Sequence, residues 1–593
     1  MIVPVIIDPF HSDEDYLYHW VYLKNLQNCH RQNVPIIAME RFAEYQFTNP
    51  GHSSMSPVYR SIFDFELLSQ KEAEQVDRYF IPESLFQNLI REKGSKLAAV
   101  CHLLNERYEP LEELLVGFLH EIIEVKGLPV QALTNWVVHF RSVKAVAEKY
   151  NLKCIAMEQG PIRPFEYLRT AFFCFEDIHS SGEGEWRYER FQKEVETSPV
   201  PVFSQKELLA IMLQRNHLDK LNLMDLKPKY EAGLAGGLPV DAPLFAHSAY
   251  TDIEVIQDLL RLYEKDDIIF RMHPGEAYNA TYDKYELRQD RSESVIQFLL
   301  SCQRVVSLGA NIPLETMLWG RTPHTPRALS PFSVRCVCDI TNKNLRELDV
   351  LFLNFAVFAL LVPFTLMWSP EYISWRLTNP PETEIYRWHL SWYLHAKGIN
   401  EVLIREPEGR LERLLSAQGY NPGRLQGGQV SETLPFSKLL YETSAGWSGF
   451  NRIYGVNRID GDRLITQFQF HDGIDRKDIR SMIFVPVNDA PAAVEIISVR
   501  SEAAVSLVPR SRHSAQQGVY YFSAGPAFTV QYDSKRIRNL NSIEIAWRCE
   551  PGKSPPRPSA KPKPNQKPAS RKQKKKGLLA VLRRSSRLLR GKP

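Results

Sequence analysis

The sequence predicts two α/β units built on parallel sheets, then a small all-β sandwich-like module, then a basic amphipathic tail. Three observations carry this. Apolar strand-like runs alternate with helical stretches over the first part of the chain. The same alternation restarts after the glycine-rich "EAGLAGGLPVD" (231–241). From about Leu434, short runs rich in β-branched and aromatic residues are separated by turn residues. At 593 residues the chain is also too long for one core.

In the first unit, "MIVPVIID" reads as a strand ending at Asp8. With no basic n-region and no long apolar h-region, it is not expected to be a signal peptide. "VPIIAME" (34–40) and "KLAAVCHLL" (96–104) read as strands. "EPLEELLVGFLHEIIEVKG" (109–127) has helical spacing and a glycine stop. "VQALTNWVVHFRSVKAVAEKYN" (130–151) reads as a second long helix, leading into a strand that ends on Glu158 before Gly160 and Pro161. In the second unit, "APLFAHS", "DIEVIQDLLRLYEK", "DDIIFRMHPGE", "SVIQFLLSCQ", "RVVSLGANIPLETMLWG" and "RTPHT" give strand, helix, strand, helix, strand–helix and strand. Ligand crevices of such units lie at the carboxyl ends of the strands.

"VLFLNFAVFALLVPFTLMW" (350–368) is uncharged and close to the length of a membrane span. Asn354 and Pro363 interrupt it, and the favoured reading is a buried helix. The tail starts with the Pro/Lys/Ser run 551–576, which cannot bury a core. It ends in "GLLAVLRRSSRLLR", where Leu578, Val581, Leu582, Leu588 and Leu589 share one helical face and arginines flank it. That pattern fits an interfacial helix on an anionic membrane; a disordered or nucleic-acid-binding arm is the alternative.

Charge supports this division. From Lys553 onward there are 15 Lys and Arg and no Asp or Glu, leaving 58 basic against 69 acidic residues before it. The body is therefore mildly acidic, although the whole chain is +4. This argues against a protein-wide nucleic-acid surface and for one electrostatic contact made by the tail. The eight cysteines form no zinc framework and no dense disulfide pattern, which fits a reducing cytosol.

Four constellations could carry chemistry. Glu158 lies at a strand end, with Gly160 leaving room beside it; an exposed loop acid is the alternative. Asp241 stands at the entry to the second unit, where a turn or capping aspartate is equally natural. In "IIFRMHPGE", Arg271 and His273 follow a strand and precede a Pro-Gly turn able to cradle phosphate; a histidine satisfied in the core is the other reading. In "SLGANIPLETMLWG", Ser307, Gly309 and Asn311 lead into a helix start suited to an anion, and Glu315 could accept from ribose hydroxyls. Ordinary capping by Asn311 also fits. The Gly-x-Gly-x-x-Gly and Gly-Lys-Ser/Thr signatures are missing, so dinucleotide redox chemistry and NTP hydrolysis are poorly supported. No metal-binding pair is convincing, and no metal or cofactor is expected. Together these features describe a nucleotide-sugar site. Arg163, Arg169 and Arg271 are available to an acidic donor, unless Arg163 and Arg169 pair with Glu166 on a helix surface.

"MEQGPIRPFEYL", "PVDAPLF", "RMHPGE" and "SLGANIPLETMLWG" resemble the retaining β-Kdo glycosyltransferases of bacterial capsule and O-antigen (lipopolysaccharide) synthesis, over roughly residues 1–400. The resemblance implies two Rossmann-like domains in a GT-B-like arrangement. It also implies CMP-Kdo as donor and retention through covalent Kdo–carboxylate adducts. Glu158 then matches the glutamate at the reacting face. Asp241 matches the aspartate that carries an adduct, and His273 the histidine near the donor phosphate. Ser307, Gly309, Asn311 and Glu315 fall in the nucleotide turn and helix, and Arg163 and Arg271 near the donor.

The organisation expected is thus 1–230 for the acceptor-side unit and 231–400 for the CMP-sugar unit with closing helices. A linker (401–433), a β-sandwich-like module (434–550), a Pro/Lys-rich linker (551–576) and a membrane-surface helix (577–593) follow. The function expected is transfer of Kdo to a growing lipid-linked cell-surface glycan, at the inner face of the cytoplasmic membrane. Another nucleotide-sugar transferase, an epimerase of the same fold, or a non-catalytic glycan-binding scaffold are the rival readings.

Overall fold

The computed structural model describes residues 1–8, 19–43, 47, 55, 60, 63–136, 140–163, 166–178, 182–237, 251–273, 285–290, 292, 294–309, 311–325, 331–332, 335–339, 341–342 and 344–421, and within 438–551 residue 479 and the strands named below. Asp241 and the tail from 552 onward lie outside the described residues.

The first unit runs β1 (Ile2–Ile6), α1 (His19–Gln32), β2 (Ile36–Met39), α2 (Gln70–Glu74), β3 (Arg78–Ile81), α3 (Glu83–Lys93), α4 (Lys96–Asn105), α5 (Glu109–His120), β4 (Ala132–Trp136), α6 (Arg141–Lys149), β5 (Lys153–Gln159) and β6 (Thr170–Cys174). Its sheet has the order β12-β6-β5-β4-β1-β2-β3. Strands β3 to β5 pair in parallel, and β6 turns antiparallel onto β5. Two expectations change here. "KLAAVCHLL" is helix α4, capped by Ser95, with Ala99, Val100, Leu103 and Leu104 facing inward at helical spacing. The run 130–151 is not one helix: Ala132–Trp136 is a central strand buried on both faces.

Helices α7 (Glu183–Thr197) and α8 (Gln205–Met212) lead to the second unit. It runs β7 (Tyr230–Ala235), α9 (Asp252–Leu262), β8 (Ile268–Arg271), β9 (Arg288–Gln289), α10 (Val295–Ser301), β10 (Cys302–Ser307), α11 (Ile312–Leu318) and β11 (Thr322–His324). All pairings in the sheet β11-β10-β7-β8-β9 are parallel. The unit's first strand is Tyr230–Ala235, inside the stretch read as a glycine-rich link; "APLFAHS" lies outside the described residues. The strand order reverses between β7 and β10, so the ligand crevice of this unit falls outside those two carboxyl ends.

The chain then returns to the first unit. Segment 350–368 forms α12 (Val350–Phe355), a π turn (Ala356–Leu360), the edge strand β12 (Leu361–Pro363) and a short 3-10 turn. Strand β12 pairs antiparallel with β6. Phe352 through Val362 are fully buried. Asn354 fits there because its amide is satisfied: it accepts from Phe203 N at 2.9 Å and the Tyr386 hydroxyl at 3.1 Å, and donates to Phe203 O at 2.7 Å and Val350 O at 2.9 Å. Among the described residues no helix is long and apolar enough to cross a membrane.

Helices α13 (Pro370–Leu377), α14 (Glu382–Lys397) and α15 (Arg410–Ala417) finish this part, the last lying in the stretch read as linker. Arg187 on α7 is buried between Glu183 and Glu382 and donates to Ala359 O at 2.9 Å, tying α7, α14 and the π turn together. A single apolar cluster holds Ala156 and Phe172 of the first sheet together with Ile269, Val305, Leu314 and Trp319 of the second unit. The two units therefore share a core at this joint.

The C-terminal module has two antiparallel sheets. One is β14-β13-β17-β22-β19 and the other β15-β16-β23-β18-β21-β20. Strands β13 (Lys438–Thr443), β14 (Gly446–Tyr454), β17 (Ser481–Val485), β19 (Val505–Pro509) and β22 (Phe528–Tyr532) form the first. Strands β15 (Val456–Asp460), β16 (Arg463–Gln469), β18 (Ala492–Ser501), β20 (His513–Gln516), β21 (Val519–Phe522) and β23 (Ser542–Pro551) form the second. Leu439, Phe484 and Phe528 from one meet Phe468, Ile543 and Trp547 from the other in one core, making a sandwich.

Candidate functional site

Strand β5 is buried through Met157 and becomes half-buried at Glu158. Glu158 lies opposite Phe172 on β6 and, by alternation, shares the face of Ala156. Ala156 and Phe172 belong to the cluster that continues into the second unit. The acid thus sits at the carboxyl edge of one sheet, on the side of the other unit. Gly160 plays a different part from the one expected. A Cβ there would collide with Oγ1 of Thr170 and come 2.9 Å from its carbonyl carbon. The missing side chain admits the neighbouring strand, and Gly160 N donates to Thr170 O at 2.9 Å.

Beyond the turn, Arg163 donates through Nε to Gly160 O at 2.7 Å and through Nη2 to Gln159 O at 3.4 Å. Among the described residues no carboxylate pairs with it. The expected alternative, pairing with Glu166 on a helix, does not occur. Glu166 takes Lys220 instead, at 3.2 Å, and the described part of 163–169 is not helical. Arg169 is stacked between the rings of Phe63, at 4.7 Å, and Phe364, at 4.8 Å. Burial, then the neighbouring Arg163 charge, pushes its pKa down to about 10.

From the second unit, His273 follows β8. Its pKa is lowered, first by burial and then by Arg163. Burial thus favours the neutral imidazole, and the Arg163 charge from the other unit acts in the same direction. Arg271 is paired with Asp290 and donates to Ser292 O at 2.7 Å, so its charge is already compensated. Ser307 is buried at the end of β10, its hydroxyl directed toward Gly309 O at 3.5 Å. Around Gly309 nothing among the described residues comes within 4 Å of an added Cβ. Asn311 does not cap α11: its backbone is already helical and its buried Oδ1 has no hydrogen-bond partner among the described residues.

Glu315 is buried, not presented to solvent as a ribose acceptor would be. Burial and then the Glu166 charge raise its pKa to about 8, against the opposing pull of Tyr167, Arg163 and Arg271. Burial thus favours its neutral form. The contacts missed in the sequence lie at the joint between the units: Glu166 with Lys220 and Ser294, and Tyr167 with Trp319. Trp319 Nε1 donates to the Tyr167 hydroxyl at 2.6 Å, and Ser294 donates to Glu166 at 3.2 Å.

The arrangement is that of a two-unit α/β protein with Glu158 and a guanidinium that no described carboxylate pairs at the edge of one sheet, and a histidine that feels that guanidinium at the end of a strand of the other. Such a joint suits an anionic, two-part ligand. No group of His, Cys, Asp and Glu able to hold a metal ion occurs among the described residues.

Residues 10–183 match the Glycosyltransferase 99 family N-terminal domain, which supports a sugar transferase. No curated protein matches the chain. Similar solved structures include the Thermosulfurimonas dismutans KpsC β-Kdo 2,7 transferase, 14% identical, covering 40% of this chain and 78% of that one with a TM-score of 0.25. The β-Kdo 2,4 transferase of the same KpsC is 12% identical, covering 40% and 85%, TM-score 0.25. The Methanocaldococcus jannaschii UDP-GlcNAc 2-epimerase is 9% identical, covering 56% and 86%, TM-score 0.23. At these TM-scores the likenesses carry no weight for function.

Proposed function

We propose that this protein transfers Kdo from CMP-Kdo to a growing cell-surface glycan with retention of configuration. The observation that supports this is that Arg163, held on the carbonyls of Gly160 and Gln159 just after Glu158, bears electrostatically on His273 of the other unit. A CMP-linked acidic keto-sugar has two anionic parts, a phosphate and a carboxylate. Neutral His273 can donate one hydrogen bond to a phosphate oxygen, and Arg163 can pair with the sugar carboxylate.

In the first displacement a carboxylate oxygen, assigned to Asp241, bonds to the anomeric carbon. The bond from that carbon to the phosphate oxygen breaks, and CMP leaves with the electron pair. In the second, an acceptor hydroxyl oxygen attacks the same carbon. The carboxylate departs with its electrons, and the hydroxyl proton passes to Glu158 at the reacting face. We assign the basic segment 577–593 to contact with an anionic membrane, where a lipid-linked acceptor would be met.

Incubation with CMP-Kdo tests the reading. CMP release and a Kdo mass adduct on a peptide carrying Asp241 or Glu158 are expected. Absence of both with any glycan acceptor, or preference for UDP over CMP in competition, overturns it.

A further inference from the structure

Three helices end at one buried amine. Lys397 is the last residue of α14, and it is only 2% exposed. Its Nζ donates to the carbonyl of Leu213, just past α8, and to Oε1 of Gln418, just past α15, the latter at 2.8 Å. The other end of the Gln418 amide fixes its orientation: Nε2 donates to Ala210 O on α8 and to Leu414 O on α15, each at 3.0 Å. Lys397 and Gln418 thus fasten α15 to α8 and α14 through buried bonds. Among the described residues no carboxylate pairs with Lys397. The charge that faces it is a second cation, Arg215, whose Nη2 donates to the Lys397 carbonyl at 2.7 Å. The remaining charges of the packed elements are engaged elsewhere or exposed. On α8, Glu207 faces Arg410 at the start of α15, 3.8 Å away, and Lys206 pairs with Asp225. On α15, Arg413 donates to the carbonyls of Leu403, Glu406 and Glu408, and Glu412 is exposed. In the 3-10 segment Arg215–Asp225, Lys220 pairs with Glu166, and His217 and Asp219 bear on that pair. On α14, His395 is exposed and Glu382 takes Arg187.

We propose that Lys397 works as a neutral amine that latches α15, and that acidification, by adding a proton to it, loosens this helix and the chain leading from it into the β-sandwich module. The donor count carries this. A neutral amine has two N–H groups, and the place holds two acceptors for them, Leu213 O and Gln418 Oε1. An ammonium would bring a third N–H and a full charge into the same dry place. It would sit there beside a guanidinium, with no described carboxylate to compensate it. The helix ends favour a cation, but with partial charges whose field fades within a turn, and Arg215 already occupies the end of α14. Burial first, and then Arg215, lowers the Lys397 pKa to about 7. Helix α15 is the last one before β13, so the latch lies at the root of the segment that leads into the sandwich.

The sign for stability follows. A lysine whose folded pKa lies below its unfolded value contributes fully above about pH 10.5, and loses that contribution as pH falls through about 7. The test melts the full chain at intervals from about pH 9 down to about pH 6. Lys397→Met keeps the length of the side chain and removes the amine. Gln418→Glu gives the ammonium a carboxylate, so that Lys397 stays charged and paired across the whole range. The wild-type melting temperature is expected to fall toward the acid end by several degrees more than that of either variant. Amide exchange on the wild type reads the latch itself and needs no variant to fold. Protection of Arg410–Ala417, corrected for the intrinsic effect of pH on exchange, is expected to drop at least tenfold from about pH 9 to about pH 6, while that of β5 stays level. Parallel melting curves for the wild type and the folded variants overturn the proposal, and so does α15 protection that does not change with pH.

Discussion

At the residue scale, the joint depends on side chains whose size or charge is set by a neighbour from another strand or unit. Gly160 is the plainest case. Gly160→Ala forces a methyl into Thr170, and an overpacked core site of this kind costs about 1–3 kcal/mol. A lowered urea midpoint with an unchanged slope is the expected result. His273 gives a pH dependence through its lowered pKa. Its folded pKa lies below the ordinary 6.5, so the neutral ring's contribution is complete above that value and is lost as pH falls below it. An acid-side decline in melting temperature that is shallower in His273→Gln is expected. Arg163→Lys keeps the charge but loses the planar fork that holds the carbonyls of Gly160 and Gln159. Donor affinity is expected to fall by about tenfold, roughly the worth of one charge-assisted hydrogen bond, read by CMP-Kdo titration.

At the element scale, the return segment 350–368 decides how the units are held. The buried Asn354 amide within it is fully hydrogen-bonded, so breaking those contacts is expensive. Asn354→Leu strands the backbone N–H and C=O of Phe203 in an apolar surrounding, and about 2–5 kcal/mol of stability should be lost. Arg187→Met leaves Glu183 and Glu382 buried without their cation, and about 3–5 kcal/mol is expected. Both losses are read by equilibrium denaturation. The elements also show what could be read from the sequence and what could not. Strand β5 was legible because an apolar run stops abruptly on Glu158. Strand β4 was not, because it is buried on both faces and so lacks alternation, and it runs on toward helix α6. Helix α4 was mistaken for a strand because its apolar residues are nearly continuous. Its inward pairs at Ala99–Val100 and Leu103–Leu104, behind the Ser95 cap, are the helical signal.

At the scale of the whole molecule, the two α/β units and the β-sandwich were legible from alternation and texture. The joint between them was not. Tyr167 and Trp319 are 152 positions apart, and no local pattern announces that they meet. The same holds for Glu166 and Ser294, 128 positions apart. Glu315 looked like a ligand contact because its helix follows a glycine turn; only the three-dimensional neighbourhood shows that its side chain is buried. The tail prediction belongs to this scale too. Removing 571–593 is expected to release the protein from anionic liposomes in a flotation assay, and unchanged binding would contradict a membrane role for that segment.

Strand β12 has a consequence for the order in which the protein is made. The first sheet ends at β6 until residues 361–363 arrive, and the entire second unit is translated before them. During synthesis the amino-terminal unit therefore waits with an open sheet edge, which is a template for pairing with other chains. The stretch 1–183, expressed alone, would keep that edge permanently. Its solubility should be rescued by supplying the closing segment in trans, which makes the amino-terminal unit dependent on the last part of the α/β region for its own completion.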